Sequence, residues 1–156
     1  MTIRAPYLLK KDIWEKTHNF KLTYPRANTV PVNIEEIVAL DMGIEIIPEP
    51  NLKASCDIDA YITRDFKSIV VDRNQYMDDK FYPRVRFSIA HEIGHLVLHK
   101  EFFERNNIGN STDNWFEFMR NIPEREYTFL EMHANEFAGV LLVPADELIS
   151  SLKTYG

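Results

Sequence analysis

An α+β domain is the architecture this sequence predicts, and three observations predict it. Apolar residues recur at helical spacing from Arg84 to Leu98 and again from Pro123 to Leu142. Short runs rich in isoleucine and valine, bounded by turn formers, lie before them and read as strands. Helices and strands therefore come in blocks rather than in strict alternation, which favours a small antiparallel or mixed sheet packed with helices.

The elements follow in order. A first helix is expected from about Pro6 to Phe20, with Leu9, Ile13 and Trp14 on its apolar side. A second starts at Asn33, which can cap it, with Glu36 three residues later as in a capping box. Ile34, Ile37 and Val38 share a face of that helix, and Gly43 supplies its stop. Ile44-Glu-Ile-Ile-Pro48 reads as a strand ended by proline. Strands at about Ile58 to Thr63 and Lys67 to Asp72, joined by a turn at Thr63-Arg-Asp-Phe66, form an antiparallel hairpin. The helix from Arg84 carries Phe87, Ile89, Ala90, Ile93, Leu96 and Val97 at helical spacing. Asn106 to Asn114 is polar and rich in turn formers, hence a loop, and Trp115 to Met119 is an aromatic stretch suited to local packing. Pro123 suits the first turn of the long helix, while Pro144 ends it and opens a last helix through Asp146, Leu148 and Leu152.

A chain of 156 residues, 45% hydrophobic and 27% charged, fits one domain over residues 1–156 with a core of its own. The N-terminus lacks the apolar run of a signal peptide, and no stretch approaches the roughly 20 apolar residues that span a bilayer. One cysteine, Cys56, rules out an internal disulfide and fits a reducing compartment. A cytoplasmic protein that engages no membrane is the expectation. Net charge is −6, from 18 basic and 24 acidic residues, which argues against direct nucleic-acid binding. Arg84 with Arg86 is too small a patch to reverse that.

The chemistry concentrates at His91-Glu-Ile-Gly-His95, an HExxH pattern inside a predicted helix. Positions i and i+4 lie about 40° apart around a helix and roughly 6 Å apart along it, so two imidazoles there can converge on one cation. Glu92 lies beside that face, placed to take a proton from the water at the site but badly placed as a direct ligand. Zinc suits two imidazoles and a carboxylate, and with three protein ligands it keeps one position open. The apolar flanks Ile89, Ala90, Ile93, Leu96 and Val97 mark a buried helix, whose polar side chains need partners that a metal would provide. A third ligand should come from downstream. Glu131 and Asn135 are i and i+4 on the long helix, whereas His133 is roughly 200° from Glu131. Glu131 as ligand, with Asn135 orienting an imidazole, is the economical arrangement. His99 continues the series from His95 but lies about 12 Å from His91 along the axis, too far to share one tetrahedral ion. It reads as a structural or supporting residue, and His18 as a surface histidine.

Arg86-Phe-Ser-Ile-Ala-His-Glu-Ile-Gly-His-Leu-Val-Leu-His99, followed by Leu130-Glu-Met-His-Ala-Asn-Glu-Phe-Ala-Gly-Val-Leu-Leu-Val-Pro144, resembles the ImmA/IrrE family of zinc metallo-endopeptidases, which have a zincin-like fold. The likeness extends to Pro31-Val-Asn-Ile-Glu-Glu-Ile-Val38 and covers most of the chain. It implies His91, His95 and Glu131 as zinc ligands and Glu92 as the catalytic glutamate. Many members carry Glu or Gln just before the Ala-Asn pair, where this chain has His133; were that position the ligand, His133 would replace Glu131. The resemblance further implies a protein substrate, a repressor of the helix-turn-helix type, often encoded nearby on a phage or mobile element, and hence a part in transcription regulation. A different class of function is a zinc-stabilised binding module that sequesters the repressor without cutting it. An oxyanion donor would come from among Tyr61, Tyr76, Tyr82, Tyr127, Arg84 and Arg86, and the Lys67–Asp72 strand is a candidate edge for an extended substrate.

Overall fold

The structure is a computed structural model that describes residues 3–106, 117–118 and 120–143. Helix α1 spans Lys10–Thr23 and turns Ile13, Thr17 and Phe20 into the core. Trp14, expected on that face, is instead 52% exposed, with its indole N–H donating to Glu136 at 2.7 Å. Positions 13 and 14 lie about 100° apart on a helix, so one of them had to leave the stripe once Ile13, Thr17 and Phe20 defined it. Helix α2, Ile34–Glu36, is capped by the Asn33 side chain, which accepts from the Glu36 backbone N–H at 3.2 Å. It continues as a π-helical turn over Ile37–Asp41 and stops at Gly43, whose φ of +67° is the left-handed conformation that glycine takes without strain.

Three strands follow: β1 at Glu45–Glu49, β2 at Ala60–Ile62 and β3 at Ser68–Asp72. Their order is β1-β3-β2, with β1 parallel and β2 antiparallel to β3. The hairpin forms as predicted, but β3 is the central strand, so the expectation that Lys67–Asp72 offers a free edge is wrong. Parallel pairing of β1 covers the edge that a hairpin alone would leave open. The strand at 45–49 also runs through Pro48 rather than ending there. As a lateral strand it does not need every N–H, and a proline is tolerated.

Short helix α3 (Leu52–Cys56) precedes β2, and α4 (Arg73–Tyr76) follows β3. Cys56 therefore ends a helical turn, and it is exposed. Asp72 joins the two, accepting from the Lys53 N–H at 2.9 Å and capping α4 through the Gln75 N–H at 3.1 Å.

Helix α5, Tyr82–Arg105, is longer at both ends than its apolar periodicity suggested, with Pro83 in its first turn. Helix α6 spans Glu124–Leu142, and its early residues Glu124 and Glu126 suit the positive end of the helix dipole. The core sits where α5, α6, α1 and α2 meet the inner face of the sheet, with Ile62, Ile69, Val71, Ile89, Ile93, Phe137 and Leu141 all buried. A second cluster of Phe102, Phe103, Phe118, Ile122 and Leu130 closes the far end of α5. Phe118 thus packs locally, as the aromatic stretch was expected to do. Trp115, Phe116, Met119, the loop from Asn107 to Asn114, Pro144 and the last helix lie outside the described residues.

Gly94 sets how near α5 and α6 approach. A Cβ there would stand 3.1 Å from the Ala134 Cα, 3.2 Å from its carbonyl oxygen and 3.2 Å from Phe137 Cδ1. Two of those atoms are backbone and cannot rotate away. Gly94→Ala gains about 1 kcal/mol of helix propensity but incurs about 1–3 kcal/mol of overpacking. The expected result is a net loss of stability of up to about 2 kcal/mol, read by chemical denaturation. A stabilised variant would show that the helices separate freely.

Candidate metal centre

Helix geometry explains why the site forms where it does. His91 and His95 stand one turn apart on the face of α5 that meets α6, and their Nε2 atoms are 3.1 Å apart. From α6, Glu131 reaches both: one carboxylate oxygen is 3.2 Å from His91 Nε2 and the other 3.1 Å from His95 Nε2. Asn135, one turn further along α6, places its Oδ1 2.7 Å from His91 Nδ1. An amide oxygen only accepts, so His91 donates from Nδ1 and its Nε2 lone pair faces the site in the neutral imidazole.

Two imidazole nitrogens and a carboxylate facing one point at 3.1–3.2 Å require a cation between them, either a proton or a metal ion. Ligands of tetrahedral zinc at about 2.0–2.1 Å are separated from one another by roughly 3.3 Å. The triangle in the protein matches that edge within a few tenths of an ångström, so the donor set fits zinc. His133, the other sequence candidate, lies elsewhere: its Nδ1 is 3.1 Å from His99 Nε2, on the far side of His95 from the cleft.

Glu92 completes a group of His91, Glu92 and His95 whose potential ligating atoms all lie within 4.8 Å of one another. It is buried, and its Oε2 accepts from the Ile62 backbone N–H at 3.0 Å. That N–H belongs to the outer edge of β2. The inward groups are those of odd-numbered residues, with Asp72 N–H bonded to the Asp59 carbonyl and Thr63 N–H to that of Ser68. Ala60 and Ile62 therefore turn their backbone groups away from β3. The cleft, about 440 Å³, is lined by Ala60 with Ile58 and Asp59 on the strand side, by Phe87, Ser88, His91, Glu92 and His95 from α5, and by Tyr127, Glu131 and Asn135 from α6.

Of the possible oxyanion donors Tyr61, Tyr76, Tyr82, Tyr127, Arg84 and Arg86, Tyr127 alone lines this cleft among the described residues. Burial first, and then the negative charges of Glu131 and Glu92, push its phenol up to about 12, so it keeps its proton at neutral pH. Arg84 instead pairs with Asp59 at 3.0 Å, and Arg86 donates to the Val32 carbonyl at 3.0 Å. Neither forms a free basic patch. The signal that could have selected Tyr127 was present in the sequence: Tyr127, Glu131 and Asn135 recur every fourth residue on one helix. Ile62 gave no such signal, because its part is played by a backbone group.

Electrostatics follow from burial and pairing. Burial depresses His91, but the Glu131 hydrogen bond and the charges of Glu92 and Glu131 outweigh it and raise the imidazole to about 9. Glu131 is held well below the usual carboxylate range: burial opposes this, and the two histidines more than offset it. Burial raises Glu92, against the pull of His95 and His91. His99 is driven down to about 2, by burial and then by the neighbouring histidines, and stays neutral. In metal-free protein the raised His91 value stabilises the fold fully below its unfolded value of 6.5, and this is lost as pH rises through about 9. The depressed Glu131 value acts above 4.5 and is lost in acid. Chelator-treated protein should therefore lose stability between pH 6.5 and 9, as followed by urea denaturation, and Glu131→Gln should flatten most of that slope. A wild-type profile flat across this window would refute the pairing.

No curated protein matches the sequence. The sequence model of the peptidase M78 family, described as the IrrE N-terminal-like domain, matches residues 39–156, a span that includes α5, α6 and all three strands. With two motif helices in the expected order and a mixed-sheet α+β fold around them, the chain belongs to the peptidase M78 family, the ImmA/IrrE metallopeptidases.

Proposed function

We propose that this protein is a zinc endopeptidase that cuts a protein substrate held as an extended segment in the cleft beside β2. One observation carries the reading. His91, His95 and Glu131 converge at zinc-ligand spacing, with the buried Glu92 carboxylate alongside and an open strand edge facing them. When bound, zinc supplies Lewis-acid activation of water and of the scissile carbonyl. Glu92 accepts the water's proton and later delivers it to the leaving amine. Its Oε2 is held by Ile62 N–H, which leaves the other oxygen for this exchange. Tyr127, which lines the cleft and keeps its proton at working pH, would donate to the developing oxyanion. The outward N–H and carbonyl of Ala60 offer a substrate strand two main-chain hydrogen bonds.

The family resemblance supports a helix-turn-helix repressor as the substrate, with control of transcription on a mobile element as the outcome. No helix among the described residues is long and apolar enough to cross a membrane. The single cysteine supports a reducing, cytoplasmic setting, and the proposal treats residues 1–156 as one domain. Direct nucleic-acid contact is not part of the proposal, given the net charge of −6.

The zinc-loaded protein incubated with its repressor should yield a discrete cleavage product by mass spectrometry, and Glu92→Gln should abolish it while retaining zinc. Relief of repression by the uncleaving Glu92→Gln protein would favour sequestration instead. Glu131→Ala should lose stoichiometric zinc after dialysis, and His133→Ala should keep it; the reverse pattern would move the third ligand to His133. Tyr127→Phe should lower kcat about 100- to 1,000-fold with little change in KM, and an unchanged kcat would remove Tyr127 from the reaction.

A further inference from the structure

Behind the metal centre, on the side away from the cleft, lie two histidines that the proposed chemistry does not use. His95 Nδ1 is 2.9 Å from His99 Nδ1, and His99 Nε2 is 3.1 Å from His133 Nδ1. The rings stand 5.1 and 5.3 Å apart between centroids, and His99 is fully buried. His133, on α6, is 8% exposed and forms the outer end of the run. The run thus starts at a candidate ligand on α5 and ends on the other helix. Both nitrogens of His99 are occupied by ring nitrogens, a pairing that works only if each neighbour plays the opposite part.

A neutral imidazole carries one hydrogen, on one nitrogen. If His95 presents its Nε2 lone pair to a metal, its hydrogen is on Nδ1 and must be donated to His99 Nδ1. His99 then accepts at Nδ1 and carries its hydrogen on Nε2, where it donates to His133 Nδ1. His133 in turn carries its hydrogen on Nε2. One choice at His95 fixes all three rings. The opposite polarity would put a hydrogen on His95 Nε2, pointed at His91 Nε2 and Glu131, where it would compete with any metal.

We infer that His99 and His133 are positioning residues that lock His95 into its metal-binding tautomer through a one-way chain of ring-to-ring hydrogen bonds spanning α5 and α6. Metal-bound histidines usually donate their second N–H to a carboxylate, a carbonyl or water, and losing that partner typically costs 10–100-fold in affinity. Here another imidazole takes that part. Because an imidazole can reverse, His99 accepts from His95 only while its own hydrogen sits on Nε2, the state in which it donates to His133. His91 is locked separately by Asn135, so the two candidate histidine ligands are oriented by different devices.

The inference rests on the zinc reading of this site but not on hydrolysis, and its test reads the rings directly. In zinc-loaded wild-type protein, long-range proton–nitrogen NMR should place the hydrogen on Nδ1 of His95 and on Nε2 of both His99 and His133. A hydrogen on Nδ1 of His99 would overturn the inference while leaving the zinc reading intact. Failure of the wild type to take up zinc would overturn both. In parallel, competition with a chromophoric chelator should show zinc affinity reduced about 10- to 100-fold in His99→Leu. His99→Gln, whose amide oxygen can accept the His95 hydrogen, should recover most of it. Thermal unfolding monitors the fold of each variant. A folded His99→Leu that binds zinc as tightly as wild type would also overturn the inference.

Discussion

The contact between Gly94 and Ala134 sets the distance between α5 and α6, and the candidate metal centre depends on that distance. With no side chain at 94, the Ala134 backbone comes to van der Waals range of α5 at the middle of the His91–His95 turn. Ala134 is flanked by the residues that matter: Glu131 one turn before it and Asn135 immediately after. A closely packed pair of helices thus delivers a carboxylate to two imidazoles and an amide to one of them. The apolar core below, with Ile93, Phe137, Ala138 and Leu141 all buried, keeps the spacing from relaxing.

That core also explains the polarity of the site. Five titratable side chains, His91, Glu92, His95, His99 and His133, are buried, and each isolated polar group would be costly in such surroundings. Each has a partner: Asn135 for His91, Ile62 N–H for Glu92, Glu131 and His99 for His95, and His99 for His133. The partners come from three different elements, so the polar network ties α5 to α6 on one side and to the sheet on the other. Mutual satisfaction of this kind makes the arrangement specific rather than merely tolerated.

Much of this was legible in the sequence because the decisive spacings are local. The i, i+4 relations of His91 with His95 and of Glu131 with Asn135 are properties of a helix, and the structure pairs the two faces as those spacings imply. The cap at Asn33, the stop at Gly43 and the hairpin at 63–67 follow from single residues with strong local preferences. What escaped depends on long-range pairing. Whether 68–72 is an edge or a centre is decided by β1, which returns parallel to it from more than twenty residues upstream. Trp14 carried an apolar signature, yet its indole N–H found Glu136 on α6, 122 positions away. The part of Ile62 was invisible for a different reason: any residue type supplies a backbone N–H.

The hydrogen bond from Ile62 to Glu92 means that the proposed base takes its position from the sheet, whereas the histidines take theirs from the helix pair. The candidate centre is thus assembled from two separately supported parts, like the jaws of a gauge. A small slide of the sheet against α5 would shift Glu92 relative to His91, His95 and Glu131 while leaving the triangle of those three intact. The same β2 edge that anchors Glu92 borders the cleft, so a chain laid along Ala60 would press on the very strand that sets the gap.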